Sequence, residues 1–191
     1  MYQYEHIMTF DSQGQGGGGV YGANAAPGSS NTNNQQQQVA TVKRKKSIKS
    51  DSSIELRGPM EVDGSVKSGG GVAFSGNFAV RDRIEAYGDI DVVGDLRCSN
   101  KIKAYGNFKV NGSALCVDRV KIFGKLKITG TFEVQGDLEV WGAITINGCL
   151  KCKTLTAYAS ITTVGDQSWY QTEQGETVHG AKLIQRTNYE G

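Results

Sequence analysis

The chain has 191 residues, with 21 Lys plus Arg against 19 Asp plus Glu, 38% hydrophobic residues and only 2 His. That length holds one domain with tails, the net charge of +2 argues against a surface built wholesale for nucleic acid, and two histidines exclude any three-histidine metal centre. No apolar run approaches the ~18 residues of a membrane span. The start MYQYEHIMTF lacks the basic, apolar and small-residue succession of a secretory signal, so a cytosolic setting with four reduced thiols is expected.

Residues 1–52 read as a leader. They contain Gly16 to Gly19, a polar stretch from Ser29 to Asn34, and Gln35 to Gln38. Such a segment buries too little apolar surface to offset its ordering entropy, so disorder is expected and its first 50 residues should be dispensable for folding. Gly17, Gly19 and Gly22 match G-x-G-x-x-G formally, but no strand precedes them and no helix pattern follows, which removes the nucleotide-loop reading. The leader ends in the basic cluster Lys43, Arg44, Lys45 and Lys46, with Lys49 nearby. Its plain reading is solvated charge, and its sharper ones are nuclear import or attraction to anionic lipid or nucleic acid. Arg44 stands three residues before Ser47, a spacing that basophilic kinases accept.

From Ile54 the sequence becomes periodic. Of the 16 positions at every sixth residue from Gly58 to Gly148, thirteen are Gly and the others are Asp82, Asn100 and Asp118. These residue types best tolerate positive φ, so a left-handed or tightly turned backbone is expected at each corner. Between corners the second and fourth residues are apolar, as in Ile90 and Val92 or Leu96 and Cys98. Ser68 is the one polar residue among the 34 such positions from Ile54 to Cys152. Strict alternation is the strand period, with one face buried and one wet. A helix is excluded because the pattern gives it no apolar stripe.

The six-residue unit nests in a longer one. Asp82, Asn100 and Asp118 are 18 apart, as are Tyr87, Tyr105, Phe123 and Trp141, each directly before a Gly. Three hexads per 18-residue cycle describe a three-sided coil, stacked in parallel register about 4.8 Å per turn. One residue drops out near Lys153, after which Leu155, Ala157 and Ile161 continue the inward set and Tyr158 the aromatic column. The expectation is an all-β chain: a three-sided parallel β-solenoid over 53–165 of about six turns, with disordered tails. Residues 166–191 read as a polar C-terminal tail, with Trp169 and Tyr170 as the bulky residues for a partial cap.

A short coil of G-x-h-x-h-x hexads without loop insertions, flanked by polar tails, resembles the bactofilins, polymer-forming cytoskeletal proteins. The resemblance covers roughly residues 54–165 and rests on repeat pattern and architecture. It implies a right-handed β-helical polymerisation domain. It also implies nucleotide-free, nonpolar filaments, a cytoplasmic and cytoskeletal place, and other proteins held on the scaffold, often at membranes. The tails depart from the Pro-rich tails of that family, with 2 Pro in the whole chain, and no short apolar membrane-targeting motif supports membrane association here.

The candidate sites follow from the pattern. An N-terminal assembly layer of Ile54, Leu56, Met60 and Val62 and a C-terminal one of Leu155, Ala157 and Ile161 are expected to present uncovered core and unpaired strand edges. An outward ladder of Tyr87, Tyr105, Phe123, Trp141 and Tyr158 either shields one corner or offers a stripe for lateral contacts. Cys98, Cys116 and Cys152 read as core filler. Cys149 and Cys152 form C-x-x-C, but residues three apart on a strand face opposite ways and share no metal. No cofactor, metal, catalytic group or nucleic-acid partner is expected. Hexapeptide acyltransferases need a histidine near the coil, whereas His6 and His179 fall in the tails. The leading reading is a self-assembling structural scaffold that acts as a homopolymer. The alternative is a non-polymerising binding module that presents its aromatic and charged faces to a protein partner.

Overall fold

Alternating burial broken at every sixth residue yields sixteen strands and no helix in the computed structural model, which describes residues 41–186. In chain order these are β1 (Lys43–Lys45), β2 (Ile48–Ser50), β3 (Ile54–Arg57), β4 (Met60–Val62), β5 (Val66–Ser68), β6 (Val72–Val80), β7 (Ile84–Ala86) and β8 (Ile90–Cys98). They continue as β9 (Ile102–Ala104), β10 (Phe108–Cys116), β11 (Val120–Ile122), β12 (Leu126–Val140), β13 (Ile144–Ala157), β14 (Ile161–Val164), β15 (Trp169–Val178) and β16 (Lys182–Gln185). Every strand pairing is parallel, and in the middle of the coil it joins residues 18 apart, as in Phe108 with Ile90 and Leu126. The fold is a three-sided β-solenoid.

Stacking gives each face eight layers. The first face stacks segments that begin at Ile54, Val72, Ile90, Phe108, Leu126, Ile144, Ile161 and Lys182. The second begins with Lys43 on Met60 and ends with Leu150 on Tyr170. The third begins with Ile48 on Val66 and ends with Leu155 on Glu176. About eight turns therefore replace the six expected, for a rod of roughly 38 Å at about 4.8 Å per layer.

The core is the inside of this coil. Each of the apolar inward positions from Ile54 to Cys152 is buried, with Leu126, Ile128, Phe132 and Ile146 fully enclosed. Ser68, the polar exception, is also buried: its hydroxyl donates to the Ser52 carbonyl at 2.7 Å and accepts from the Gly70 amide at 3.1 Å. A buried hydroxyl so satisfied carries little penalty. Outward charges meet their vertical neighbours, as in Lys109 with Asp91 at 3.3 Å and Lys121 with Glu139 at 3.1 Å. Exposed pairs of this kind contribute at most about 1 kcal/mol each.

The corners differ from the expectation that all of them need positive φ. Only the corner between the first and second faces has it in the coil's middle, at Gly76, Gly94, Gly112, Gly130 and Gly148, with φ from 107° to 132°. Elsewhere glycine answers a different need. A Cβ on Gly124 would stand 2.5 Å from the Gly106 carbonyl oxygen, so successive turns approach too closely for any side chain. At the corner between the third and first faces, Asp89 and Asn107 carry hydrogen bonds from turn to turn. The Asn107 amide donates to Asp89 Oδ1 at 2.7 Å, and the Lys125 amide to Asn107 Oδ1 at 2.9 Å.

Both domain boundaries shift outward. Within the expected disordered leader, β1 pairs with β4 and β2 with β5. Ile48 packs partly buried against the core, while Lys43 and Lys45 stack over Met60 and Val62. Lysine stems cover apolar neighbours while their ammonium groups reach water, which makes a strand from residues that read as a linker. Within the expected polar tail, β15 and β16 complete an eighth turn on β13 and β14. The remaining leader, including the Gly17 to Gly22 stretch and the Gln run, lies outside the described residues, as do residues 187–191.

Deletion of residues 1–50 therefore removes a structural turn rather than a dispensable leader. A chain starting at Asp51 uncovers Met60, Val62 and Val66, whereas one starting at Thr41 keeps β1 and β2 over them. Full burial of such side chains stabilises by roughly 1.5–3 kcal/mol each, and one-sided exposure forfeits part of that. The shorter chain is expected to melt several degrees lower. Equal melting temperatures would show that the first turn adds nothing.

Candidate functional site

The third face ends at a corner where an aromatic residue stands outward in five successive turns. Tyr87 stacks on Tyr105 at 4.7 Å between ring centroids and 7° between planes, and Tyr105 on Phe123 at 5.0 Å and 6°. Phe123 stacks on Trp141 at 5.9 Å, and Trp141 on Tyr158 at 4.4 Å. The 18-residue register fixes this spacing, because identical positions sit one strand separation apart. His179 adds a sixth rung, 5.2 Å from Tyr158 and within 7° of parallel. The sequence placed His179 in a tail. Its signal was present all the same, since His179 precedes Gly180 as each of Tyr87, Tyr105, Phe123 and Trp141 precedes a Gly.

Charged side chains run beside the ladder. Lys103 Nζ lies 4.4 Å from the Tyr105 ring centroid and 2.6 Å from its hydroxyl, a bond that raises the lysine pKa. Lys121 Nζ lies 5.2 Å from the Phe123 centroid, and the Trp141 indole donates to Glu139 at 2.9 Å. The rings cover one another's faces, so inside the ladder a partner meets ring edges and the flanking charged side chains, Lys103, Lys121 and Glu139. Tyr87, at 63% exposure, is the open first rung.

A second surface lies on the second face. An open depression of about 560 Å³ runs down it, lined by Val42, Met60, Phe78, Leu96 and Leu115 with Glu61 and Arg97 among its polar rim. It crosses several turns, from Val42 to Glu133.

The expected assembly layers require correction. Met60 and Val62 lie beneath β1, so of the N-terminal set only Ile54 and Leu56 belong to the terminal layer, and both are buried. At the other end Leu155, Ala157 and Ile161 are covered by Glu176, Val178 and Lys182 and are at most 1% exposed. The true C-terminal layer places Tyr170, Thr172, Glu176, Val178, Lys182 and Ile184 at the inward positions. Lys182 and Glu176 form an ion pair there, which holds the Glu176 carboxyl below its ordinary range. The N-terminal layer mixes Ile48, Ile54 and Leu56 with Lys43, Lys45 and Ser50. The basic cluster is thus part of a rod end: Lys43 and Lys45 stand at inward places, and Arg44 points outward to Glu61 at 3.0 Å.

The cysteines occupy the places expected of them. Cys98 and Cys116 are buried, and their thiols donate to the carbonyls of Asp82 at 3.2 Å and Asn100 at 2.9 Å. Hydrogen bonding to Cys98 and then burial push the Cys116 thiol upward, and burial with the nearby charges of Glu173 and Glu176 pushes Cys152 up to about 12. Both stay neutral thiols at physiological pH. Cys149 is partly exposed while Cys152 is buried, so the two face opposite ways. Among the described residues no three His, Cys, Asp or Glu side chains gather in a geometry for a metal ion. No family model, curated protein or solved structure matches the chain.

Proposed function

We propose that the chain is a structural scaffold: a rigid rod that self-assembles end to end, without nucleotide, and holds other proteins rather than transforming a substrate. One observation carries this reading. Among the described residues, the outer backbone edges of β1, β2 and β3 at one end, and of β15 and β16 at the other, have no strand paired to them. Open strand edges template further pairing, and both ends present strands running in the same sense. The resemblance to the bactofilins points the same way and adds a cytoplasmic, cytoskeletal setting.

Light scattering and negative-stain electron microscopy of the full chain at tens of micromolar, in nucleotide-free buffer, test it. Filaments about one rod wide are expected. A monodisperse monomer at every concentration would refute the scaffold reading. It would leave the non-polymerising binding module ahead, a reading favoured by the polar side chains in both end layers and by the depression on the second face.

A further inference from the structure

We infer that assembly is polar, in departure from the nonpolar filaments that the resemblance to the bactofilins implies: the C-terminal turn of one copy docks on the N-terminal turn of the next. This deepens the scaffold reading and rests on it. The two ends differ in charge. Residues 41–57 carry six basic side chains against two acidic, and residues 165–186 carry three acidic against two basic. Lys43, Lys45 and Lys46 are exposed at the N-terminal end, and among the described residues none of the three has an ion-pair partner within 4.0 Å. Contact between two N-terminal ends would press these ammonium groups against their own copies, and like-charge contact of that kind rejects a partner.

Strand direction makes the same choice. All pairings within the rod are parallel, and a C-terminal turn set on an N-terminal turn continues every ladder in that sense. Contact between like ends would force the ladders to pair antiparallel. In the continued register Ile184 falls over Leu56 and Val178 over Ser50, while Tyr170 and Thr172 cover the stems of Lys43 and Lys45. Glu173, exposed directly after Thr172, meets the corner that holds Lys45 and Lys46. The polar side chains in the end layers thus act as a code for which end fits which, rather than as caps.

Disulfide trapping in the full chain tests the direction. In the continued register Lys49 of one copy lies over Thr177 of the next, at the strand separation of about 4.8 Å, which is inside the Cα span a disulfide accepts. Two variants, Lys49→Cys and Thr177→Cys, both with Cys149→Ser, are oxidised separately and as a mixture. Neither should cross-link alone, and the mixture should give a covalent dimer of one chain of each kind. A chain with both new cysteines should give a ladder of covalent oligomers. Self-linking of Lys49→Cys or Thr177→Cys, without a mixed product, overturns the polarity and leaves end-to-end assembly standing. Filaments without any cross-link overturn the register proposed. No cross-link together with monomeric scattering overturns the scaffold reading itself.

Discussion

Ile128→Asp is expected to unfold the middle of the rod, while Lys127→Asp, one residue away, leaves it intact. Ile128 is fully buried, stacked between Val110 above and Ile146 below. A carboxylate there loses its water, has aliphatic neighbours in place of partners, and either ionises at a cost of several kcal/mol or shifts its pKa far upward. Because each turn rests only on its neighbours, the defect separates the rod into two shorter stacks instead of being shared across a globular core. Lys127 is exposed and stacks between Lys109 and Thr145. An aspartate in that place faces a lysine, so its effect should stay within about 0.5 kcal/mol. Thermal melts monitored at the β-sheet signal should place Ile128→Asp roughly 10 °C or more below the parent and Lys127→Asp within a degree or two. Comparable melting temperatures would show that the two side chains do not face opposite ways.

The middle of the fold was legible because one geometric constraint writes the same residue types 18 positions apart. The columns headed by Ile54, Met60 and Val66 show it, and so does the dropped residue near Lys153, where the register shifts between Val134 and Asp137. The two ends were not legible, for separate reasons. At the N-terminus, Ile48 is the one large apolar side chain among the inward places of β1 and β2. Lys43 and Lys45 fill theirs with stems that hydropathy counts as charge. At the C-terminus, extra residues break the period: Cys149 pairs with Trp169, 20 positions on, and Thr154 with Gly175, 21 on. A pattern read at a fixed interval ends where the interval changes, even though the coil continues. The candidate surfaces divide the same way. The ladder from Tyr87 to Tyr158 was visible as a period. His179 lay beyond the insertion, and of the expected end layers Ile54 and Leu56 are terminal, whereas Met60, Val62 and the C-terminal set Leu155, Ala157 and Ile161 lie one turn inside the rod.

Gly130→Ala is expected to be among the most damaging single-methyl changes in the chain, and its size separates two roles of glycine that look identical in sequence. At Gly130 φ is +119°, and an added Cβ would stand 2.2 Å from the Gly112 carbonyl oxygen. That oxygen belongs to the backbone of the turn above and moves only if the stack opens. Gly142 has an ordinary φ but a similar clash, with its Cβ 2.5 Å from the Gly124 carbonyl oxygen. Gly175 has a φ of +156° and nothing within 4 Å of its added Cβ. The three alanine variants therefore meet strain and clash together, clash alone and strain alone. An unfavourable φ by itself costs about 1–3 kcal/mol, and forced backbone displacement in a packed interior adds a comparable amount. The expected order of destabilisation is Gly130→Ala, then Gly142→Ala, then Gly175→Ala, with the first above about 3 kcal/mol in denaturant unfolding and the last near 1. Should Gly175→Ala prove as harmful as Gly130→Ala, conformational strain would be the whole explanation of the repeated glycine. Should Gly142→Ala be silent, the turns must separate more easily than so close an approach of their backbones implies, and the stack could not be rigid enough to serve as a scaffold.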